Sequence, residues 1–399
     1  MPGSRRAKKA AMSGQEDRIS ALPDGVIQHI LGFLPADEAV ETSVLARRWR
    51  HLWRSMRRLR ITYKDDRWEC DNDFIKFVDG LLLLRHPGLA LDEVELRVYP
   101  FDHEDGTFIK IWIRHALFCQ AKVLVIDFDI DFPFTLDAPL LSQHLRRLEL
   151  GYLGLKENSL DFARCPALEV LEITNCRLDT CRILSQSVKH LRIKNCDFFS
   201  PKRIRISAPN LVSLQICYFD GKAPLLEKMA SLETAIFSID IEDYCDKSAY
   251  GESCGDCLNC CSNNDHNSGD LLGGLSSATN LELITYSGAL ILRRWCPTFS
   301  RLKTLLLNMP GEDNDLHSLV CILERSPVLE KLTLQLSEEP QGTGESEGSY
   351  HPMEQLPAVS EHLNTVEIKC KEVDERVCKI LKFLGRFIKH VNINLAGKP

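Results

Sequence analysis

One pattern, L-x-x-L-x-L, recurs along this chain and limits its fold more tightly than any other feature. Strong copies are Leu91/Val94/Leu96, Leu145/Leu148/Leu150, Leu168/Leu171/Ile173, Val188/Leu191/Ile193, Leu211/Leu214/Ile216, Leu302/Leu305/Leu307, Leu329/Leu332/Leu334 and Leu363/Val366/Ile368. Weaker copies fit at Ala121/Leu124/Ile126, Leu232/Ala235/Phe237 and Leu281/Ile284/Tyr286. From Leu145 the starts of successive units, at Leu168, Val188, Leu211 and Leu232, lie 23, 20, 23 and 21 residues apart. Each unit therefore supplies one short strand whose alternate residues point to opposite faces. No unit can cover its own apolar face, so neighbours must stack, and a curved solenoid built on a parallel sheet is expected. The gap of 34 residues from Leu329 to Leu363 marks an inserted loop.

The segment 18–56 follows a different rule. Leu22, Val26, Ile27, Ile30, Leu31 and Leu34 recur at helical spacing, with Pro23-Asp24 at a helix start and Pro35 at its stop. After Asp37 and Glu38, a second amphipathic helix is expected, carrying Val40, Val44, Leu45, Trp49, Leu52, Trp53 and Met56 on one stripe, with Arg47, Arg48, Arg50 and Arg54 around it. Some forty residues cannot bury both stripes internally, so an apolar face is left for something else.

These residues carry a resemblance. Leu22-Pro23, Ile27, Ile30-Leu31, Leu34-Pro35, Val40, Val44-Leu45, Arg47, Trp49 and Leu52-Trp53 resemble an F-box, in the form that plant proteins pair with leucine-rich repeats. Ala46 stands where relatives usually carry Ser. The resemblance implies an α/β chain: a three-helix F-box, then a leucine-rich-repeat solenoid with a curved parallel sheet. It also implies docking on a Skp-type adaptor, and through it on a cullin, by the fourteen residues just named. Cys176 and Cys196 fall three positions after the last apolar residue of their units, where the repeat consensus takes Asn or Cys.

Charge is uneven. Residues 1–60 hold twelve Lys/Arg against six Asp/Glu, a balance of +6, so the remaining 339 carry −13 to reach the total of −7. Arg57, Arg58 and Arg60 extend the basic run from Arg47, which suits nucleic acid. The module lacks polar residues to read base edges, however, and an acidic adaptor accounts for the same arginines. The stretch Arg5-Arg6-Ala7-Lys8-Lys9 suits nuclear import or a solvated tail. The start of the chain has no apolar signal segment, and no run is apolar enough to span a membrane, so a nuclear or cytoplasmic protein that is not secreted is expected.

Two features suggest chemistry. Cys254, Cys257, Cys260 and His266 lie in a loop rich in Gly, Asn, Ser and Asp, and C-x-x-C-x-x-C is part of a zinc ligand set. A closed zinc site takes two separated ligand pairs, which this crowded run lacks, so the expectation is no metal and no cofactor. Gly344-Glu345-Ser346-Glu347-Gly348 fits G-x-S-x-G but lies in an acidic Gly-rich segment, without the strand and helix that a nucleophile elbow requires. No catalytic role follows.

The chain thus divides into a disordered basic tail (1–17), an F-box (18–58), linker helices (59–90), the solenoid (91–354) with a Cys-rich loop (242–270) and an acidic loop (337–353), and a terminal repeat with a C-terminal helix similar to the FBD element (355–399). That helix is read over 372–388 from Val373, Val377, Ile380, Leu381, Leu384, Phe387 and Ile388. Between the paired apolar positions of each strand, Glu149, Glu172, Arg192, Gln215, Thr333 and Glu367 fall on the concave side. This row is a candidate surface for a substrate protein whose identity the sequence does not disclose. Two functions remain: a non-catalytic substrate receptor of a cullin-based ubiquitin ligase, or a leucine-rich-repeat scaffold without ligase coupling.

Overall fold

The structure, a computed structural model, describes residues 19, 21–64, 67–98, 106–128, 134–200, 203–239, 273–285, 296–309, 315–336, 359–387 and 391–395. The tail at 1–17, the Cys-rich and acidic loops and the G-x-S-x-G stretch lie outside them, with the candidate ligands Cys254, Cys257, Cys260 and His266. Helix α1 (Asp24–Leu31) and helix α2 (Ala36–Glu41) are followed by two 3-10 segments, Thr42–Val44 and Arg47–Ser55. The expected second long helix is therefore broken. Ala46 is extended, at φ −153° and ψ 149°, and redirects the chain between the two segments.

A single ladder then carries the molecule. It runs through β1 (Arg58–Thr62), β2 (Glu93–Arg97), β3 (Val123–Asp127), β5 (Arg147–Gly151), β7 (Val170–Thr174), β10 (His190–Phe198) and β12 (Ser213–Gly221), and continues through β14 (Thr234–Ile239), β15 (Asn280–Thr285), β16 (Thr304–Met309), β17 (Lys331–Leu336), β18 (Thr365–Cys370) and β19 (Val391–Leu395). Neighbours pair in parallel and in chain order. Short strands β4 (Thr135–Leu136), β6 (Gly154–Lys156) and β8 (Arg177–Asp179) join its margin, and β9 (Arg182–Leu184), β11 (Arg205–Ser207) and β13 (Leu225–Leu226) form a separate small sheet. Helices α3 (Asp71–Leu83), α4 (Thr107–Phe118), α5 (Asp315–Glu324) and α6 (Glu375–Leu384) complete the helices among the described residues.

The repeat pattern explains the core. In register, Leu124, Leu148, Leu171, Leu191 and Leu214 stack in one row, and Ile126, Leu150, Ile173, Ile193 and Ile216 in the next, each no more than 3% exposed. Burying such a side chain stabilises the fold by about 1.5–3 kcal/mol, and the rows share a single apolar cluster with the N-terminal helices. Behind them the Cys176 thiol donates to the main-chain oxygens of Thr174 (3.3 Å) and Leu150 (3.5 Å), and the Cys196 thiol to Lys194 (3.3 Å). That is the service expected of the consensus Asn or Cys, which satisfies carbonyls where the strand turns away. Tyr152, Asn175, Asn195 and Tyr218 all take φ between 52° and 56° at this turn, one unit apart.

Three expectations need correction. Residues 59–90 are not linker helices alone: Leu59 and Ile61 head the sheet in β1, and α3 is the one helix among the described residues there. The basic residues around β1 disguised a unit that begins at Met56. In β15 the buried residues are Leu281 and Leu283, preceded by Ala278, so the repeat starts three residues earlier than Leu281 and Ile284 turns to the opposite face. Ala278 is too small to announce itself as a leading leucine. Finally, α6 spans fewer residues than the apolar spacing suggests, Val373 is exposed, and a further strand, β19, follows it.

Candidate interaction surfaces

The N-terminal module is apolar on two adjacent sides of α1. Ile27 and Leu31 point inward and are at most 1% exposed, while Val26 and Ile30 on the next helical stripe, with Phe33 beyond, stand 42–49% exposed. Leu52 and Trp53 are buried at 7%, and Leu22, Leu34, Val40 and Trp49 are half-buried against the core. Pro35 is half-buried, Pro23 and Arg47 are exposed, and Val44 and Leu45 reach 85% and 71% exposure. The fourteen-residue adaptor set therefore splits. Ile27, Leu31, Leu52 and Trp53 are spent in the apolar cluster that the module shares with the solenoid and cannot touch a partner, which corrects their assignment. Sequence reading left out Ile19 and Phe33, exposed apolar residues of the same module; Phe33 continues the Val26/Ile30 stripe at helical spacing.

Polar contacts fix this face. No side chain caps α1; instead the Arg48 guanidinium donates to the Asp24 carboxylate, through Nη2 at 2.5 Å and Nε at 2.7 Å, and to the Leu22 carbonyl at 2.6 Å. Arg48 thereby ties the second 3-10 segment to the start of α1, where a negative charge also suits the helix dipole. Arg58 lies 5.1 Å from the Phe33 ring centroid, and Arg60 donates to the Phe33 carbonyl at 3.1 Å. Arg57, Arg58 and Arg60 pair with Asp92, Glu93 and Glu95. Much of the basic run is thus neutralised within the chain.

On the concave face, Glu149, Glu172, Arg192 and Gln215 lie in register on adjacent strands. They engage one another: Arg147 bonds Glu149 (2.5 Å) and Glu172 (2.8 Å), and Arg192 reaches Glu172 (3.4 Å) and Gln215 (2.9 Å). The bond it donates to Glu149 holds the Arg147 guanidinium above its ordinary pKa. Glu367 accepts from Asn394 at 2.9 Å and faces Lys331 at 3.9 Å. Thr333 occupies the same row but is only 4% exposed, between Leu306 and Glu367, so this short side chain offers no contact surface and leaves the candidate set. Beyond the row, Asn195, Asp197, Tyr218, Asp220 and Ser238 line a cleft of about 390 Å³ at the ends of β10, β12 and β14.

Among the described residues no group of three His, Cys, Asp or Glu could hold a metal, and no helix is long and apolar enough to cross a membrane.

Two families of known proteins match parts of this chain. The F-box domain family matches residues 19–61, and the family of LRR repeats from the FBD-associated F-box protein At5g56370 matches residues 91–218. The MEIOTIC F-BOX protein MOF of Oryza sativa subsp. japonica is 30% identical over 347 residues, covering 80% of this chain and 71% of that protein. The F-box/FBD/LRR-repeat protein At5g22700 of Arabidopsis thaliana is 27% identical over 426 residues, covering 94% and 91%. The F-box/LRR-repeat protein At3g59200 of Arabidopsis thaliana is 28% identical over 253 residues, with 53% of this chain and 48% of that protein aligned.

Proposed function

This chain belongs to the F-box/leucine-rich-repeat family of plants, and from that premise we propose that it is the substrate-recognition subunit of an SCF-type (Skp-cullin-F-box) ubiquitin ligase, delivering target proteins for ubiquitination and degradation. It performs no bond chemistry in this reading. The module docks on a Skp-type adaptor, and the adaptor links it to a cullin, while the solenoid holds the target near the charged conjugating enzyme. Rate is gained by effective concentration alone. The nucleus and/or the cytoplasm is the working compartment of such a complex.

The observation that carries this reading is the exposure of Val44 and Leu45, 85% and 71%, on a module whose other apolar side is already covered. Large exposed apolar residues grouped on one small module favour a partner over solvent. The test is co-purification of the full chain with a Skp-type adaptor, comparing wild type with the Val44→Asp/Leu45→Asp double variant. Capture by wild type and its loss in the variant, with unchanged thermal unfolding, is the expected result. Capture of neither removes the ligase coupling and leaves a protein-binding scaffold, and equal capture of both removes Val44 and Leu45 as the docking contact.

A further inference from the structure

Charge is distributed unevenly across the concave sheet. From β1 to β10 its exposed positions are crowded with charge, and side chains on the same or adjacent strands neutralise one another: Arg58 with Glu93, Arg60 with Glu95, Arg147 with Glu149 and Glu172, Arg192 with Glu172. From β12 to β16 the same face becomes neutral, with Gln215, Thr234, Ile236, Asn280, Ile284, Thr304 and Leu306 in place of charges. One carboxylate interrupts it. Glu282 sits in register between Ile236 and Leu306, all three half-buried, and makes no hydrogen bond or ion pair with any described residue.

Its isolation is geometric. Arg192 lies three strands away, roughly 14 Å at about 4.8 Å per strand, and is already bonded to Glu172 and Gln215. Lys331 lies two strands away and faces Glu367, and Lys303 pairs with Glu330 at 3.0 Å. A half-buried carboxylate flanked by aliphatic side chains is partly dehydrated without compensation, so it gains from an incoming cation more than an exposed one does. The aliphatic stem of that cation would lie on Ile236 and Leu306.

We infer that the concave sheet from β12 to β16 receives an uncharged or apolar segment of a partner protein, whose single cationic side chain, Lys or Arg, seats on Glu282. The inference rests on the reading of the solenoid as the target-holding part and adds the chemistry that it selects. Charged segments are disfavoured there, and the charge lattice from β1 to β10 acts as a flank, since a partner would have to break existing pairs to use it.

A random nonapeptide library displayed on phage and panned on the full-length chain tests this. Wild type should enrich peptides with one Lys or Arg among aliphatic residues, at least tenfold over Asp or Glu at that position. Glu282→Gln should abolish the preference and Glu282→Lys should reverse it, while thermal unfolding of both variants stays at the wild-type midpoint. Absence of cationic enrichment in wild type, or the same enrichment in Glu282→Lys, overturns the inference. Panning involves no adaptor, so failed adaptor capture with a Glu282-dependent preference would end the ligase reading alone, and the opposite pair of results would end this inference alone.

Discussion

The Arg85 guanidinium donates through Nη2 to the main-chain carbonyl of Met56 at 2.6 Å, while its Nη1 is buried with no partner among the described residues. The contact joins the end of α3 to the end of the second 3-10 segment, beside a main-chain bond from His86 to the Arg54 carbonyl at 3.1 Å. It clamps the helical module to the solenoid at an electrostatic cost. Burial lowers the Arg85 pKa from its ordinary value to about 10, because the charged form is poorly solvated there.

Arg85→Gln keeps a donor for the Met56 carbonyl and removes the buried charge. It should stabilise the protein by about 2 kcal/mol at neutral pH, read from chemical unfolding. The sign of its pH dependence follows from the depressed pKa. Above about pH 10, and below the ordinary arginine pKa, the unfolded chain keeps the proton that the folded chain has released, so wild-type stability from this group rises with pH. The advantage of the variant should therefore shrink as pH climbs toward and past 10. An advantage that is constant from pH 7 to 10.5 would contradict a desolvated Arg85.

The covered and the exposed apolar residues of the N-terminal module should respond differently to substitution. Ile27→Ala or Leu31→Ala leaves a cavity in the core and should cost about 2–5 kcal/mol. Any loss of partner capture should then track the fraction unfolded. Val44→Asp with Leu45→Asp should change stability by no more than about 0.5 kcal/mol, because both side chains are already in water. Calorimetry on the purified variants separates the two classes.

In the concave lattice, Glu172 accepts from Arg147 and Arg192, yet all three side chains retain solvent contact. Glu172→Gln should cost less than about 1 kcal/mol. A double-mutant cycle with Arg192→Ala should give a coupling of a few tenths of a kcal/mol that fades in 1 M salt. A coupling that persists at high salt would require a drier sheet surface than the one described.

Thiol reactivity should follow burial. Cys70 and Cys378 are exposed, whereas Cys165, Cys176, Cys196 and Cys296 are buried, and burial pushes the Cys176 thiol up and the Cys296 thiol to about 12. Brief iodoacetamide treatment of the native protein at pH 8, read by peptide mass spectrometry, should label Cys70 and Cys378 at least 100-fold faster than Cys176 or Cys296. Comparable labelling of Cys176 would refute its place behind the strands.

Gly221, at φ +92°, is a position where the backbone itself demands glycine. A Cβ there would lie 2.5 Å from the Phe198 carbonyl oxygen on the neighbouring strand. Gly221→Ala should lower stability by about 1–3 kcal/mol. Gly25→Ala in α1 meets nothing within 4 Å and should be neutral or stabilising by up to about 1 kcal/mol. Urea midpoints of the pair give the contrast.

Most of the solenoid was legible because leucine at three-two spacing has one use: each of the eight strong L-x-x-L-x-L copies coincides with a ladder strand. Misreadings occurred where the signal residue was small or disguised. Ala278 hid the start of the β15 unit, and Arg57, Arg58 and Arg60 hid β1. Local spacing also assigned Ile27, Leu31, Leu52 and Trp53 to a partner face, since helical periodicity marks an apolar stripe without saying what covers it. Only the position of β1 behind the module decides that, and it is a long-range property. Glu282 was missed for the same reason: its isolation depends on what adjacent strands place beside it, across 46 residues to Ile236 and 24 to Leu306.

The strand that receives the N-terminal module is itself the first rung of the ladder that presents Glu282. Arg58 and Arg60, in β1, touch Phe33 on one side and the β2 carboxylates on the other. Whatever is gripped at one end is consequently held at a set offset and angle from whatever is gripped along the inner curve. In the proposed complex, reach then becomes a property of the cargo: only those parts of it that project the right way, and far enough, can meet machinery assembled on the other end.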